Sequence, residues 1–463
     1  MFKAAFYETE ITPPLGTPVP GHTGSVCSKD VAERLYAKAV VINNGEETVA
    51  TVVIDALHIP QNFHKNVTER VGEYTGIKPQ NITVCCNHTH EGGPVNSHSL
   101  RITGDLSYID IISRLAADCI TLASRRLEPV NVKYGCGRVY GISFNRDFVT
   151  RDGRITSFIG RAYEEAKTLN ISPEIPVVQI QDAQNDPDAK IINPNCAGNL
   201  AGIDPELPVL VFENKDGKPI GAMINFACHQ TAGTSFDAAC TSGDYSSVLS
   251  KKLKEYYGND FVSLFVLGTC GDINHVNPCK KTTPADYYQI MGCTLADEAI
   301  KVISSAEPVC GNALASKKEL LEIEKRQVTD EEIEKQYLRY KNHPDKISHT
   351  LRNVLVYKAN SGEKTEKVFV QCTRIGDVYF YALPGEMYMN FGLNIKQNSP
   401  SKKNLISELA NGLYNGYIPT KEALHPNSNI YAAALCINSC LVPQAGYIIT
   451  EKALELASAL KNK

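Results

Sequence analysis

The sequence ITVCCNHTHEGGP at residues 82–94 decides how the rest of the chain is interpreted. A run of β-forming residues leads directly into His88 and His90, and Glu91 to Pro94 then stop the strand. Ligands of α/β proteins bind beyond the carboxyl ends of strands, so this pair is a candidate metal or acid–base site. Such a pair can equally consist of hydrogen-bonded core histidines. The stretch alone leaves both interpretations open.

The segments before this stretch predict a β-α-β unit that ends at the two histidines. Residues 36–57 form two apolar runs joined at residues 43–45 by Asn-Asn-Gly, which is typical of a β-hairpin. Residues 61–76 have helical spacing, and the strand at 82–86 follows them. The unit therefore delivers its polar residues to one edge of a sheet.

Three later strands also end in polar residues. A hairpin predicted at residues 206–231 ends on His229, and a buried strand near residue 265 runs into a loop that contains Asn274. A further strand ends in Pro-Gly-Glu at Glu386. These patterns predict an α/β fold of mixed β-sheets flanked by helices, with the site at the C-terminal ends of strands. Because no linker or repeat interrupts the chain, residues 1–463 are expected to form one large domain.

Helical spacing predicts several further elements along the chain. The expected helices span residues 108–126, a segment starting near Ser242 or Asp244 as N-cap, residues 285–305, a charged solvated segment at 317–342, and residues 450–460.

The composition is that of an ordinary globular protein. Hydrophobic residues make up 43%, charged residues 21%, and the formal net charge is -4, which argues against nucleic acid as a partner. No apolar run approaches the roughly 20 residues of a membrane span, and no signal peptide is recognised, so a cytoplasmic location is expected. The 15 cysteines contain no Cys-x-x-Cys pair and are interpreted as reduced thiols.

The polar strand ends together suggest a metal. A catalytic zinc ion takes histidine nitrogen and glutamate oxygen ligands and keeps one position open for water. Two histidines and Glu386 would suffice. Two other interpretations stay open: His88 and His229 as hydrogen-bonded core residues, and Glu386 as the cap of the next helix.

A series of short motifs resembles the neutral, non-lysosomal ceramidases. In chain order they are ITPPLGTP, NHTHEGGP, GISFNR, the segment IDPELPVLVFENKDGKPIGAMINFACHQT, SGDY, GTCGDIN and LPGE. The resemblance extends from about Ile11 to about Tyr431. It covers the catalytic domain of that family alone, and no counterpart of its carboxy-terminal immunoglobulin-like domain is expected here.

The resemblance implies a zinc amidase that hydrolyses the N-acyl bond of ceramide to a fatty acid and sphingosine. Matching the motifs implies four zinc ligands: His88, His229, Glu386 and Tyr417. It also implies that His90 faces the substrate or the zinc-bound water, that Arg146 contacts the substrate or the developing oxyanion, and that Tyr431 is a second active-site tyrosine.

One position departs from the family pattern. Asn274 occupies the place of a serine that has been proposed as nucleophile in the family. An amide cannot form an acyl-enzyme, but it can donate a hydrogen bond to an oxyanion, so a metal-activated water is the expected nucleophile. Two alternatives remain: a small soluble amide, ester or lactone as substrate, or a catalytically impaired metal-binding protein.

Overall fold

A computed structural model describes most of the chain. The described residues are 1–21, 26–60, 62–95, 104–150, 155–157, 196–199, 202–233, 240–276, 283–284, 286–327, 329–340, 358, 362–424, 428–430, 432–433 and 439–461. Tyr431, one of the expected site residues, lies outside them.

Seven α-helices occur in the described residues, and each α-label below follows chain order. They are α1 (Phe63–Thr75), α2 (Leu106–Ser124), α3 (Asp244–Tyr257), α4 (Tyr287–Ser305), α5 (Asp330–Tyr340), α6 (Met389–Asn398) and α7 (Ala445–Leu460). No helix among the described residues is both long and apolar enough to cross a membrane.

The strands are numbered in chain order in the same way. They are β1 (Lys3–Glu10), β2 (Asp30–Val31), β3 (Tyr36–Asn43), β4 (Thr48–Ile54), β5 (Ile82–Cys86), β6 (Glu128–Pro129), β7 (Asn131–Arg138), β8 (Phe144–Asn145), β9 (Asp147–Thr150), β10 (Ile155–Ser157), β11 (Cys196–Asn199), β12 (Glu206–Glu213), β13 (Pro219–Phe226), β14 (Cys240–Thr241), β15 (Val262–Leu267), β16 (Ile273–Asn274), β17 (Glu307–Pro308), β18 (Leu314–Glu324), β19 (Thr365–Ile375), β20 (Val378–Ala382), β21 (Glu386–Met387), β22 (Asn404–Ser407), β23 (Tyr417–Ile418) and β24 (Ser428–Asn429).

Three mixed sheets organise the chain. The first sheet has the order β5-β4-β3-β1-β6, the second β15-β13-β12-β7-β17 and the third β18-β19-β20-β22. The expected hairpin is present, because β3 and β4 pair antiparallel, and the β-α-β unit is present, because β4 and β5 pair parallel across α1. The same arrangement recurs where β13 and β15 pair parallel across α3. The expected α/β fold of mixed sheets with flanking helices is confirmed.

The inner faces of the three sheets share one apolar core. One buried cluster contains side chains from alternate strand positions of all three sheets. Examples are Val40 in the first sheet, Leu210 in the second and Phe380 in the third. The outer faces of the first two sheets pack on α1 to α4, and that of the third packs on α7. Each sheet is thus buried on both faces, as the apolar runs of its strands require.

Two expectations about single elements were wrong. Residues 317–342 do not form one helix, since β18 pairs with β19 over eleven residues and only Asp330–Tyr340 is helical. Within β18 only Leu314 and Ile323 are buried, and the remaining residues, the charged ones included, are half-buried or exposed. The N-cap of α3 is Gly243, because the Asp244 carboxylate turns away to accept the backbone N–H of Gly233 at 2.7 Å.

A buried asparagine joins the second and third sheets. Asn225 in β13 donates from Nδ2 to the carbonyls of Val266 and Ile406, both at 2.8 Å, and its Oδ1 accepts the N–H of Ile406 at 2.9 Å. The side chain is 3% exposed. Because both sheets carry strands that end at the candidate site, this contact fixes their relative position.

Asn225→Ala should lower the free energy of unfolding by about 3 kcal/mol, because it leaves several buried backbone groups without a partner. The matched control is Asn398→Ala at the end of α6, where the asparagine is exposed and bonds only within its own helix. That change should stay within about 0.5 kcal/mol of wild type. Equal unfolding midpoints in urea for the two variants would contradict this role of Asn225.

Candidate metal centre

Three strand exits bring four polar side chains together. His88 and His90 follow β5, His229 follows β13, and Glu386 begins β21 after the end of β20. The three histidines form one group of donor atoms that lie within 4.8 Å of one another, and Glu386 belongs to an overlapping group with His88. The side chains of His88, His229 and Glu386 are at most 1% exposed.

Each of these histidines is oriented by a backbone carbonyl. Nδ1 of His88 lies 2.8 Å from the carbonyl of Leu57, and Nδ1 of His229 lies 2.8 Å from that of Cys270. Nδ1 of His90 lies 3.1 Å from the carbonyl oxygen of Gly21. A carbonyl can only accept, so Nδ1 carries the proton and each Nε2 presents a lone pair to the cluster. This arrangement is typical of metal-ligating histidines.

The spacing of the donor atoms fits a single small ion. Oε2 of Glu386 lies 3.4 Å from Nε2 of His88 and 3.2 Å from Nε2 of His229. The hydroxyl of Tyr417 lies 3.5 Å from Nε2 of His229. Neighbouring ligands of a tetrahedral ion with bonds of about 2.1 Å are about 3.4 Å apart. The three measured distances among His88, His229, Glu386 and Tyr417 are therefore compatible with a single small ion such as zinc.

His90 is as close to the cluster as the expected ligands. Its Nε2 lies 3.4 Å from Nε2 of His88. Gly21, at the end of the proline-rich amino-terminal loop, donates its N–H to the His90 carbonyl at 3.1 Å, and a Cβ at Gly21 would overlap the His90 backbone. The amino-terminal loop therefore packs directly on the site.

The pairing of two short strands places Tyr417 beside Glu386. The short strands β21 and β23 pair parallel with Glu386 directly beside Tyr417. The guanidinium carbon of Arg146 lies 5.5 Å from the centre of the Tyr417 ring. Tyr417 is 5% exposed and Arg146 is 7% exposed, so neither is a surface residue.

The charges of the cluster shift its titration. Burial alone would raise the pKa of Glu386. The interaction with His88 and the contacts with His229 and His58 instead hold this pKa well below its usual range. Burial lowers the pKa of His229 to about 4, and Arg146 adds to the effect. Burial, His88 and His229 lower the pKa of His90. The resting site thus has an ionised Glu386 carboxylate close to the neutral imidazoles of His90 and His229.

The loop that carries Asn274 packs against the glutamate strand. A Cβ at Gly271 would lie 2.6 Å from the Glu386 carbonyl oxygen, so only glycine allows this approach. Asn274 lies in β16, and its Oδ1 accepts the N–H of Val276 at 2.5 Å. With the oxygen engaged, the amide group has its Nδ2 hydrogens left to donate to another acceptor.

Arg146 is bound to the same loop. Its Nη2 donates to the carbonyl of Gly271 at 2.5 Å, and its backbone N–H donates to the carbonyl of Asp272 at 2.9 Å. Although burial opposes the charge, Tyr417 and Asp147 raise the pKa of Arg146 above its usual range. Arg146 therefore remains a cation that holds the Asn274 loop beside Tyr417.

Sequence reasoning missed His58. Its Nε2 lies 3.7 Å from Oε1 of Glu386, and its ring centre lies 5.3 Å from that of His88. His58 follows β4, which pairs parallel with β5, so the two strands end at the same edge. That pairing was predicted, and extending the strand-exit argument to β4 would have found the residue.

The two competing interpretations of the donors can be compared with this geometry. Glu386 is not a helix cap, because the N-cap of α6 is Tyr388 and the carboxylate faces the histidines. His88 and His229 are buried and hydrogen bonded at Nδ1, as core histidines would be. Core packing alone does not account for Nε2 lone pairs that converge on a carboxylate.

The fold and the converging donors define a protein of the ceramidase fold with a candidate metal centre. In particular, the chain matches neutral ceramidase from Pseudomonas aeruginosa over 100% of its own length and 74% of that chain, with a TM-score of 0.70 and 19% identity. A structure described as a ceramidase complexed with C2 matches over 100% and 75%, with a TM-score of 0.70 and 17% identity. The resemblance expected from the motifs is confirmed at the level of the fold. Comparison with protein-family models and with curated proteins gives no match.

Protein purified without chelators should contain about one zinc ion per chain, and His88→Ala and His229→Ala should each abolish stoichiometric binding. Each change removes one of the two proposed nitrogen ligands. The measurement is elemental analysis of the purified variants. His64→Gln is the matched control, because His64 lies in α1 and its Nε2 contacts Lys318 instead of the cluster. Zinc retained in both alanine variants would contradict this ligand set.

Proposed function

We propose that this protein is a zinc-dependent hydrolase of the neutral ceramidase type that cleaves an N-acyl amide bond. The observation that carries the proposal is the convergence of lone pairs from His88 and His229 on the Glu386 carboxylate, at separations suited to one ion. Two imidazoles, a carboxylate and a phenol favour zinc over magnesium or calcium, which prefer oxygen ligands. Bound zinc would polarise an acyl carbonyl and lower the pKa of water.

His90 is proposed as the proton carrier. Its Nδ1–H is held by the Gly21 carbonyl, so its Nε2 is the atom that can accept a proton and pass it to the leaving amine. The amino-terminal loop that holds it also packs over this part of the site. His90 is thus fixed from outside the set of proposed ligands.

Asn274 is proposed as an oxyanion donor. Its Oδ1 is engaged by the N–H of Val276, so the amide presents Nδ2 hydrogens to the acyl oxygen. One such donor is worth roughly 3 kcal/mol of transition-state stabilisation. Asn274 has no nucleophilic atom, so attack by water is the route that this chain supports.

Arg146 is proposed to have a structural role in addition to the expected electrostatic role. Its bond to Gly271 and its position under Tyr417 keep both in place, and its permanent charge favours a developing oxyanion nearby. Direct contact of Arg146 with substrate stays a prediction, as does a role for Tyr431.

Ceramide or a related N-acyl compound is the proposed substrate, supported by the likeness of the whole chain to ceramidase structures. The same centre acting on a small soluble amide, ester or lactone is the second candidate, and the amide at position 274 motivates a third, a metal-binding protein impaired in catalysis. We further propose that residues 1–463 act as one domain in a reducing compartment, which the twelve free cysteines among the described residues support.

Asn274→Asp should lower kcat by about 10²- to 10³-fold, because it keeps an acceptor for Val276 but removes the Nδ2 donor. Asn274→Ala should lose a similar amount, while both variants keep their zinc. The assay is hydrolysis of a fluorogenic ceramide beside short-chain N-acyl amines and lactones. Undiminished turnover by Asn274→Asp would contradict the donor role.

The same assay separates the candidate functions. Turnover of ceramide by wild type supports the lipid amidase, whereas turnover of small acyl compounds alone supports the second candidate. If wild type holds zinc but hydrolyses none of these substrates, the protein is a metal-binding protein without this activity. Asn274→Ser then tests whether a serine at this position supplies activity through a nucleophilic hydroxyl.

A further inference from the structure

The proposed ligand His88 has an unusual backbone. Its φ is 65°, in the left-handed region that residues other than glycine rarely adopt. Such a conformation is strained and persists only where surrounding contacts enforce it. It turns the ring immediately after β5, so that Nδ1 reaches Leu57 and Nε2 faces Glu386. The orientation of the ligand therefore depends on whatever holds this turn.

Asn87 spans the strained residue. Its backbone N–H bonds to the carbonyl of Ile54 at 3.1 Å, and its side-chain Oδ1 accepts the N–H of Thr89 at 3.3 Å. The side chain thus closes a turn around His88. Thr89 is also held on its far side, because its hydroxyl donates to the carbonyl of Ser242 at 2.6 Å.

The Asn87 amide is itself held by two other elements. Its Nδ2 donates to Oδ1 of Asp55 at 2.7 Å and to the hydroxyl oxygen of Ser246 at 3.0 Å. Asp55 follows β4, and Ser246 lies in the first turn of α3 and donates its own hydroxyl hydrogen to Gly243 at 2.9 Å. Both hydrogens of the Asn87 amide are therefore used, and its orientation is unambiguous.

Asp55 is a fixed anchor. Its Oδ2 accepts the N–H of Tyr36 at 2.7 Å, and its own N–H donates to the Tyr36 carbonyl at 3.0 Å. Burial raises the pKa of Asp55 to about 6, while the nearby charge of Lys38 opposes this. At neutral pH the carboxylate therefore remains ionised and accepts from Asn87.

We propose that Asp55 and Asn87 are positioning residues that hold the left-handed turn at His88 and so orient it for metal binding. The inference rests on the proposed function for the identity of the metal. Partners of metal ligands commonly contribute roughly 10- to 100-fold in metal affinity. A purely structural role would lower stability and leave the zinc affinity of the folded protein unchanged.

Asn87→Asp tests the pair, because it keeps the shape of the side chain but sets a second carboxylate against Asp55. Zinc affinity, measured by competition with a chromophoric chelator, should fall roughly 10- to 100-fold. The double variant Asp55→Asn with Asn87→Asp exchanges acceptor and donor and should recover most of that loss. Ile303→Ala is the control, since this buried residue near the end of α4 lies on an element that supplies no proposed ligand and no partner of His88, so the change should lower stability and leave zinc affinity unchanged.

A second measurement needs no metal. In metal-free protein labelled with ¹⁵N-histidine, Asn87→Asp should shift the His88 ring resonance, and the double variant should return it. Unchanged zinc affinity and an unchanged His88 resonance in Asn87→Asp would overturn the proposal. If wild type binds no zinc, the proposed function fails, and the resonance in metal-free protein still decides the positioning role. Should Asn87→Asp not fold, Asp55→Asn alone should give a smaller loss in the same direction, and no loss would overturn the proposal.

Discussion

The candidate metal centre depends on three backbone carbonyls that orient its histidine rings. The rings of His88, His90 and His229 each use one nitrogen on a main-chain oxygen, and the other nitrogen must then face the interior. Those carbonyls belong to Leu57, Gly21 and Cys270, which come from separate parts of the chain. The centre can therefore form only when the first sheet, the second sheet and the amino-terminal loop have taken their native positions.

The sequence carried most of the information about strands and strand exits. Period-two apolar runs and Asn-Gly or Asp-Gly turns predicted the hairpins at β3–β4 and β12–β13, because both signals are local. Residues 317–324 were misread as helix because their many charged side chains suggested a solvated helical segment, and only pairing with β19 reveals why the strand forms. That pairing joins residues far apart in sequence, which no window of a single sequence contains.

The site shows the same division between local and distant information. His88, His229 and Glu386 each follow an apolar run, so the strand-exit pattern marked them as site candidates although their strands lie in three different sheets. The importance of Asn87 could not be anticipated from the sequence, because its side-chain partners Asp55 and Ser246 lie after β4 and in α3. His58 was overlooked for a different reason, since the second strand of the predicted β3–β4 hairpin was not followed to its polar exit. The left-handed conformation of His88 has no signal in the residue type at all.

Gly271 has a consequence for the choice of ion. A methyl group there would lie 2.6 Å from the Glu386 carbonyl oxygen, so the short strand that carries this carboxylate would have to shift. Bonds to zinc are about 2.0–2.2 Å long and bonds to calcium about 2.3–2.6 Å, so a displacement of a few tenths of an ångström spans the difference. A side chain in a loop that supplies no proposed ligand would therefore change which ion fits the candidate centre.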